Sequence, residues 1–244
     1  MRAMVLAAGL GTRLRPLTDA RPKALVKVAG QTMLERTLGR LQRFGITEVI
    51  VNAHHFADLL IAYLAEKNNF GLRVEVSREE VLLDTGGGLK QAAEFFLRDG
   101  SNEPFLVHNV DVASAIDFNA MVAAHKATGA LATLAVKPRT SSRQLLFDAE
   151  ELLVGRRTSA STEWAREVPG PTPLAFCGIH VISPRIFSLL DETGVFSIVP
   201  AYLRLAAAGE RISAYPTDAY WRDLGKLESV RQAEADLAAG EWGR

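Results

Sequence analysis

Ala8-Gly9-Leu10-Gly11-Thr12-Arg13 sets two glycines and a hydroxyl directly after an apolar run, and five cations, Arg13, Arg15, Arg21, Lys23 and Lys27, crowd the stretch that follows. Glycines let backbone N–H groups come close to a phosphate. Guanidinium and ammonium groups beside them suit a polyanion such as a triphosphate. The same residues would also serve as a tight strand-to-helix turn and a solvated basic loop, although Pro16 and Pro22 favour a held loop. Two common nucleotide motifs do not fit. The dinucleotide fingerprint needs a third glycine where Leu14 stands, and the phosphate loop of NTPases needs a Gly-Lys-Ser/Thr ending that is absent.

Acids and a second glycine run supply the remaining chemistry. Asp111 closes the apolar stretch Phe105–Val110, so it is expected at a strand end facing a crevice. Magnesium takes hard oxygen ligands and keeps several waters, so one or two such carboxylates plus phosphate oxygens suffice. A helix cap is the other role open to an acid here, and Ser114 or Asp117 could provide it instead. Leu83-Asp84-Thr85-Gly86-Gly87-Gly88 precedes a helical pattern and leaves a surface without side chains, fit for a base or ribose or for a flexible turn. His54 and His55 are neighbours whose side chains point apart, which fits solvent or cap roles better than a shared metal. Cys177 is the only cysteine and sits in an apolar run, as a small core residue does.

The elements that must position these groups alternate. Ala3–Ala8, Glu48–Ala53, Arg73–Ser77 and Phe105–Asn109 read as strands; 33–44, 56–64 and 88–97 carry helical spacing. This order predicts an α/β fold with a largely parallel sheet covered on both faces. Farther on, 132–137, 144–147, 176–183 and 211–215 read as strands, and 198–208 and 226–239 as helices. The polar, proline-containing stretch 156–173 has no period and is expected to be a long surface loop. No linker is visible, so one domain over 1–244 is expected. Lys plus Arg and Asp plus Glu are 28 each, which disfavours a general nucleic-acid binder. The single cysteine fits a reducing, cytoplasmic setting. The apolar run at the N-terminus is too short for a signal peptide core, and no stretch approaches the length of a membrane span.

Leu10-Gly11-Thr12-Arg13-Leu14-Arg15-Pro16-Leu17-Thr18, followed by Arg21-Pro22-Lys23-Ala24-Leu25-Val26, resembles the signature of the sugar-1-phosphate nucleotidyltransferases, G-x-G-T-R-L/M-x-P-L-T and then P-K-x-L/M. Val28 to Leu34 continues the match, with Thr32 where the family usually has proline. Asn109-Val110-Asp111 is similar to the family's metal-binding acid motif, and Trp221-Arg222-Asp223-Leu224-Gly225 to its second, with Lys226 replacing a threonine. Thr85-Gly86-Gly87 matches the element that contacts base and ribose, and Gly178 the strand beside the sugar. The V-x-E-K-P segment common in the family is missing; only Val136-Lys137-Pro138 comes near.

The resemblance implies a Rossmann-like three-layer sandwich with a mostly parallel mixed central sheet. It implies a magnesium-dependent transfer of a nucleotidyl group from a nucleoside triphosphate to a sugar 1-phosphate, with pyrophosphate released. Arg13 would meet the leaving pyrophosphate, Lys23 the α-phosphate, and Asp111 and Asp223 the Mg2+ ion. Ala8, Gly9, Gly11, Thr12, Thr85, Gly86, Gly87, Asn109 and Gly178 would line the substrates, with Gly178 leaving room for the sugar. The triple glycine is closer to the uridylyl branch, so UTP is expected, with a hexose or amino-sugar 1-phosphate. The alternatives are GTP-dependent transfer to mannose 1-phosphate and a non-catalytic nucleotide-sugar sensor. A related glycosyltransferase is disfavoured because Asp111-Val112-Ala113 lacks the second acid of a D-x-D motif. No nucleic-acid or membrane partner is expected.

Overall fold

The computed structural model describes residues 1–242. The strands are β1 (Arg2–Leu6), β2 (Lys27–Val28), β3 (Gln31–Thr32), β4 (Glu48–Ala53), β5 (Arg73–Arg78), β6 (Phe105–Asn109), β7 (Val112–Ser114), β8 (Ala132–Lys137), β9 (Arg143–Phe147), β10 (Leu153–Thr158), β11 (Thr162–Trp164), β12 (Thr172–Ile182), β13 (Ile212–Pro216) and β14 (Trp221–Asp223). The helices are α1 (Met33–Arg43), α2 (Ala57–Glu66), α3 (Asp84–Gln91), α4 (Ala93–Leu97), α5 (Phe118–Thr128), α6 (Ile198–Ala207) and α7 (Leu227–Ala238). In α1, Leu34, Leu38 and Leu41 recur on one face and are fully buried. Thr32 caps this helix, its hydroxyl accepting from the Glu35 N–H at 3.0 Å. That gives the residue standing in place of the family proline a local task.

Ten strands form one sheet in the order β11-β10-β9-β12-β6-β1-β4-β5, with β8 on β12 and β13 on β8. β5, β4, β1 and β6 are parallel, as are β13 and β8. β12 runs antiparallel to β6, β8 and β9. Alternation along β1 explains the layers. Ala3 and Val5 join the buried cluster under α1, α2, α5 and α7. Met4 and Leu6 join the one under α3, α4 and α6. Each buried Leu or Val contributes about 1.5–3 kcal/mol of transfer free energy, so the central strands need helices on both faces. The chain has the α/β, Rossmann-like three-layer fold with a mixed central sheet. β1 has β4 on one side and β6 on the other, so the loops leaving β1 and β6 part there and open the crevice where such folds bind ligands.

Three sequence-based expectations change. The stretch 156–173 is only in part a loop: 159–161 and 165–171 are irregular, and the rest is strand. It completes β10, forms β11 and opens β12, with Arg156 paired to Glu163 across the β10–β11 ladder. It lacks a period because it lies at the sheet edge, where most of its side chains meet solvent on either face. Gly86–Gly88 do not precede a helix but lie inside α3. Three glycines carry poor helical propensity, and tertiary packing overrides it. A Cβ on Gly86 would come within 2.3 Å of the Phe196 ring, and one on Gly87 within 2.4 Å of the Gly194 carbonyl. His54 takes neither a solvent nor a cap role: just before α2, its ring bonds the Glu79 carbonyl at 2.9 Å, while His55 is exposed as expected. Asp117 caps α5 by accepting from Ala120 N–H at 3.0 Å, leaving Asp111 free of that duty.

Candidate active site

The first glycine loop is shaped around Lys23. A side chain on Gly9 would begin 3.1 Å from the Lys23 Nζ, and Gly11, at φ 65°, turns the chain with Thr18 and Lys23 packed against it. The Thr18 hydroxyl donates to the Gly11 carbonyl at 2.9 Å and closes the loop. Thr12 and Arg13 follow in a single helical turn, Thr12–Leu14. The Ala7 N–H donates to the side-chain oxygen of buried Asn52 at 2.6 Å. Asn52 in turn donates to Glu79 at 2.7 Å, and Glu79 accepts the Leu83 N–H at 2.9 Å. This buried relay ties the first glycine loop to the loop before α3, and nothing in the local pattern of either loop announces it.

The two acids come together through backbone pairing. β14 lies antiparallel to β7 with Asp223 opposite Val112, and the Leu224 N–H donates to the Asp111 carbonyl at 2.7 Å. Residues more than a hundred positions apart thus become neighbours at one end of the sheet. The Lys23 ammonium donates to Asp111 Oδ2 at 2.9 Å, with both side chains largely buried. Arg13 reaches the same place from the first loop. The point where a Gly225 side chain would start lies 2.8 Å from both Arg13 Nη2 and Asp223 Oδ1. Gly225 therefore keeps space for a guanidinium and a carboxylate to share one corner.

Two cavities meet here. One, of about 280 Å³, is lined by Ala8, Gly9, Lys23, Asp84, Thr85 and Asn109, with Leu82 and Val195 as apolar walls. The other, of about 670 Å³, runs from Arg13, Asp111 and Asp223 past Gly178 and Trp221 to the β9–β10 strands. Asp84 and Asn109 stand on both linings and mark the junction. Asp84 adopts φ 60° there. The Thr85 hydroxyl accepts the Ile198 N–H at 3.0 Å, and the Gly86 and Gly87 N–H groups both donate to the Phe196 carbonyl. Gly86 and Gly87 are thus packing residues of this wall. The room at Gly178, where φ is 71°, is taken by the Asn109 amide, 2.7 Å from the point where a side chain would begin. Gly178 shapes the cleft by admitting Asn109.

Other polar groups on the larger cavity were not singled out from sequence. Arg139 lies 4.1 Å over the Trp221 ring and donates to the Phe176 carbonyl at 3.1 Å. Arg143, Arg156 and Arg157 come from β9 and β10. The doublet Arg156-Arg157 was legible, but a polar stretch without a period gives no sign that it faces a cavity. Lys137 is engaged elsewhere, donating to the Asp218 carbonyl at 2.8 Å and to that of Ala219. Cys177 is fully buried and desolvation pushes its thiol up to about 12, so it is no nucleophile.

The donor set fits a hard divalent cation. Two carboxylates stand at the junction of a cleft wide enough for phosphate groups, which is the sparse protein share magnesium takes. Among the described residues no three His, Cys, Asp or Glu side chains gather into a metal cage, and none of the described helices is long and apolar enough to cross a membrane.

Known proteins resemble this chain in sequence and fold. A family model described as nucleotidyl transferase matches residues 2–145. The N-acetylmuramate alpha-1-phosphate uridylyltransferase of Caulobacter vibrioides is 36% identical over 245 residues, covering 97% of this chain and 96% of that one. The enzyme of the same name from Neisseria meningitidis is 31% identical over 251 residues, covering 99% and 100%. The solved UDP-glucose pyrophosphorylase from Acinetobacter baumanii has the same fold, with a TM-score of 0.77 over 98% of this chain and 93% of its own, at 18% identity. The family match runs through the first glycine loop and past Asp111, and the curated relatives extend it along nearly the whole length: the chain belongs to the nucleotidyl transferase family, among the sugar-1-phosphate nucleotidyltransferases.

Proposed function

We propose that this chain, acting as one catalytic domain in the cytoplasm, transfers a uridylyl group from UTP to N-acetylmuramate 1-phosphate and releases pyrophosphate, with Mg2+ as its metal. The observation that carries it is the convergence of Lys23, Arg13, Asp111 and Asp223 where the two cavities join. The smaller cavity, with its apolar walls and glycine-packed floor, takes the nucleoside; the larger takes the sugar. The names of the two relatives above 30% identity support both substrates.

A sugar-phosphate oxygen attacks the α-phosphorus in line while pyrophosphate leaves. The attacking group is already anionic, so positioning and charge neutralisation matter more than a general base. Lys23 exchanges its bond to Asp111 for the α-phosphate, and Arg13 faces the leaving group. Asp111 and Asp223 would hold magnesium, which when bound neutralises phosphate charge. Asn109, seated through Gly178, orients substrate at the junction.

Pyrophosphate release from the four common triphosphates against a panel of sugar 1-phosphates tests this. Release must require both substrates and fall by orders of magnitude in Asp111→Asn with the fold intact. Binding of nucleotide sugar without release would make the chain a sensor. A preference for GTP over UTP of more than about tenfold, ~1.4 kcal/mol, with every sugar tested would replace the uridylyl reading by a guanylyl one.

A further inference from the structure

We propose that Arg143 and Arg156 form an acid subsite that selects sugar 1-phosphates carrying a carboxylate; this rests on the uridylyl N-acetylmuramate reading above. The carboxylates lining the larger cavity are Asp84, Asp111 and Asp223. Asp111 and Asp223 sit with Arg13 at the reacting end, and Asp84 marks the junction with the smaller cavity. The wall made by β9 and β10 carries arginines and no acid among the described lining residues. Arg139, stacked on Trp221 two positions before Asp223, is assigned to the 1-phosphate. Beyond it the wall carries Arg143, Arg156 and Arg157, with Glu163 of β11 paired to Arg156 and offsetting one of the three charges.

Arg143, Arg156 and Arg157 all line the cavity, and strand register shows which of them share one face with each other. Arg156 pairs with Leu145, and Thr158 with Arg143. Residues paired across an antiparallel ladder, and residues two apart along a strand, lie on one face. Arg143, Leu145, Arg156 and Thr158 therefore form one surface, and the buried Leu145 anchors it against the core. Glu163 accepts from Arg156 Nε at 2.7 Å. That bond fixes the guanidinium while leaving both Nη groups for a planar anion, the fork geometry suited to a carboxylate. Arg143 forms no ion pair among the described residues. The Thr158 hydroxyl is spent on the turn to β11, accepting the Ala160 and Ser161 N–H groups, so the two guanidinium groups carry the subsite. N-Acetylmuramate differs from N-acetylglucosamine by a lactyl ether whose carboxylate this pair would hold, and Glu163 acts as a positioning residue.

The test compares N-acetylmuramate 1-phosphate with N-acetylglucosamine 1-phosphate, each with UTP and with GTP, in wild type, Arg143→Gln, Arg156→Gln and Glu163→Gln. Wild type should prefer the acid sugar at least tenfold in kcat/KM. Each arginine variant should lose at least tenfold with the acid sugar, mainly through KM, and stay within twofold with the neutral one. Glu163→Gln should show a smaller loss of the same selectivity. Equal losses with both sugars, or no wild-type preference for the acid, would overturn the subsite. Calorimetric binding of the two sugar 1-phosphates reads the same ratio without turnover, and equal affinities there would overturn it too. A preference for GTP would overturn the uridylyl reading and leave the sugar ratio to decide this one.

Discussion

Gly87→Ala is a severe test of the role assigned to the second glycine run. The new Cβ would sit 2.4 Å from the Gly194 carbonyl oxygen and 3.0 Å from Leu83 Cβ. Ordinary contacts start a full ångström farther out, and backbone on one side cannot swing away as a flexible side chain does. Overpacking of this kind costs about 1–3 kcal/mol. Replacing a helical glycine by alanine regains about 1 kcal/mol of propensity, so a net loss of up to about 2 kcal/mol is expected. For a chain of this size that lowers Tm by up to about 8 °C. Gly39→Ala is the internal control: Gly39 also lies within a helix, α1, but a Cβ there meets nothing within 4 Å. It should gain about 0.5–1 kcal/mol and raise Tm slightly. The same perturbation has a functional reading. Gly86 and Gly87 hold the Phe196 carbonyl, and the Thr85 hydroxyl holds the Ile198 N–H. Pushing out Gly194 should loosen the wall bearing Asp84, Thr85 and Val195, raising the triphosphate KM several-fold more than the sugar-phosphate KM. Differential scanning calorimetry with steady-state kinetics reads both effects. A Gly87→Ala protein as stable as Gly39→Ala would refute the packing role.

Lys23→Ala should lower kcat/KM at least about tenfold, since charge-assisted contacts to phosphate contribute ~1.5–3 kcal/mol; it should also bind divalent cation no more weakly without substrate, because the competing ammonium leaves Asp111. Unchanged turnover would make the Lys23–Asp111 pair merely structural. Buried His180 and His108 are held at about 3 and about 4, chiefly by desolvation, against 6.5 as the ordinary value. The unfolded chain takes up these protons first, so the stability they contribute is present above pH 6.5 and is lost as pH falls towards 4 and then 3, about 3–5 kcal/mol each in full. Tm should therefore fall between pH 7 and 4.5, less steeply in His180→Gln; equal slopes would exclude His180 as a source. Cys177 should resist a thiol reagent at pH 8 until the protein is unfolded, and rapid labelling of native protein would contradict its burial.

Much of the framework is legible one residue at a time. The apolar run of β1, the leucine spacing of α1 and the strand before Asp111 report burial directly, because each must present a continuous or periodic apolar face to the core. The glycine loop with Arg13 and Lys23 is legible for a similar reason: its chemistry is packed into one short stretch. The sequence alone therefore determined the fold class, the position of the first glycine loop and the acid just past the end of β6.

What only the tertiary structure decided involves partners distant in sequence. Asp223 stands beside Asp111 through the β7–β14 ladder, which a three-residue strand cannot announce. Gly86–Gly88 look like a turn because glycine favours one locally; their reason is the space taken by Gly194, Phe196, Asn52 and Glu79, and a missing side chain carries no record of what fills its place. Gly178 likewise makes way for Asn109 rather than directly for a ligand. The arginines of β9 and β10 lie where the hairpin 156–164 leaves the core, so no apolar period marks them. Charge is visible in sequence wherever it occurs, but whether it faces solvent or a cavity depends on strand register, and register is set by pairing with another part of the chain.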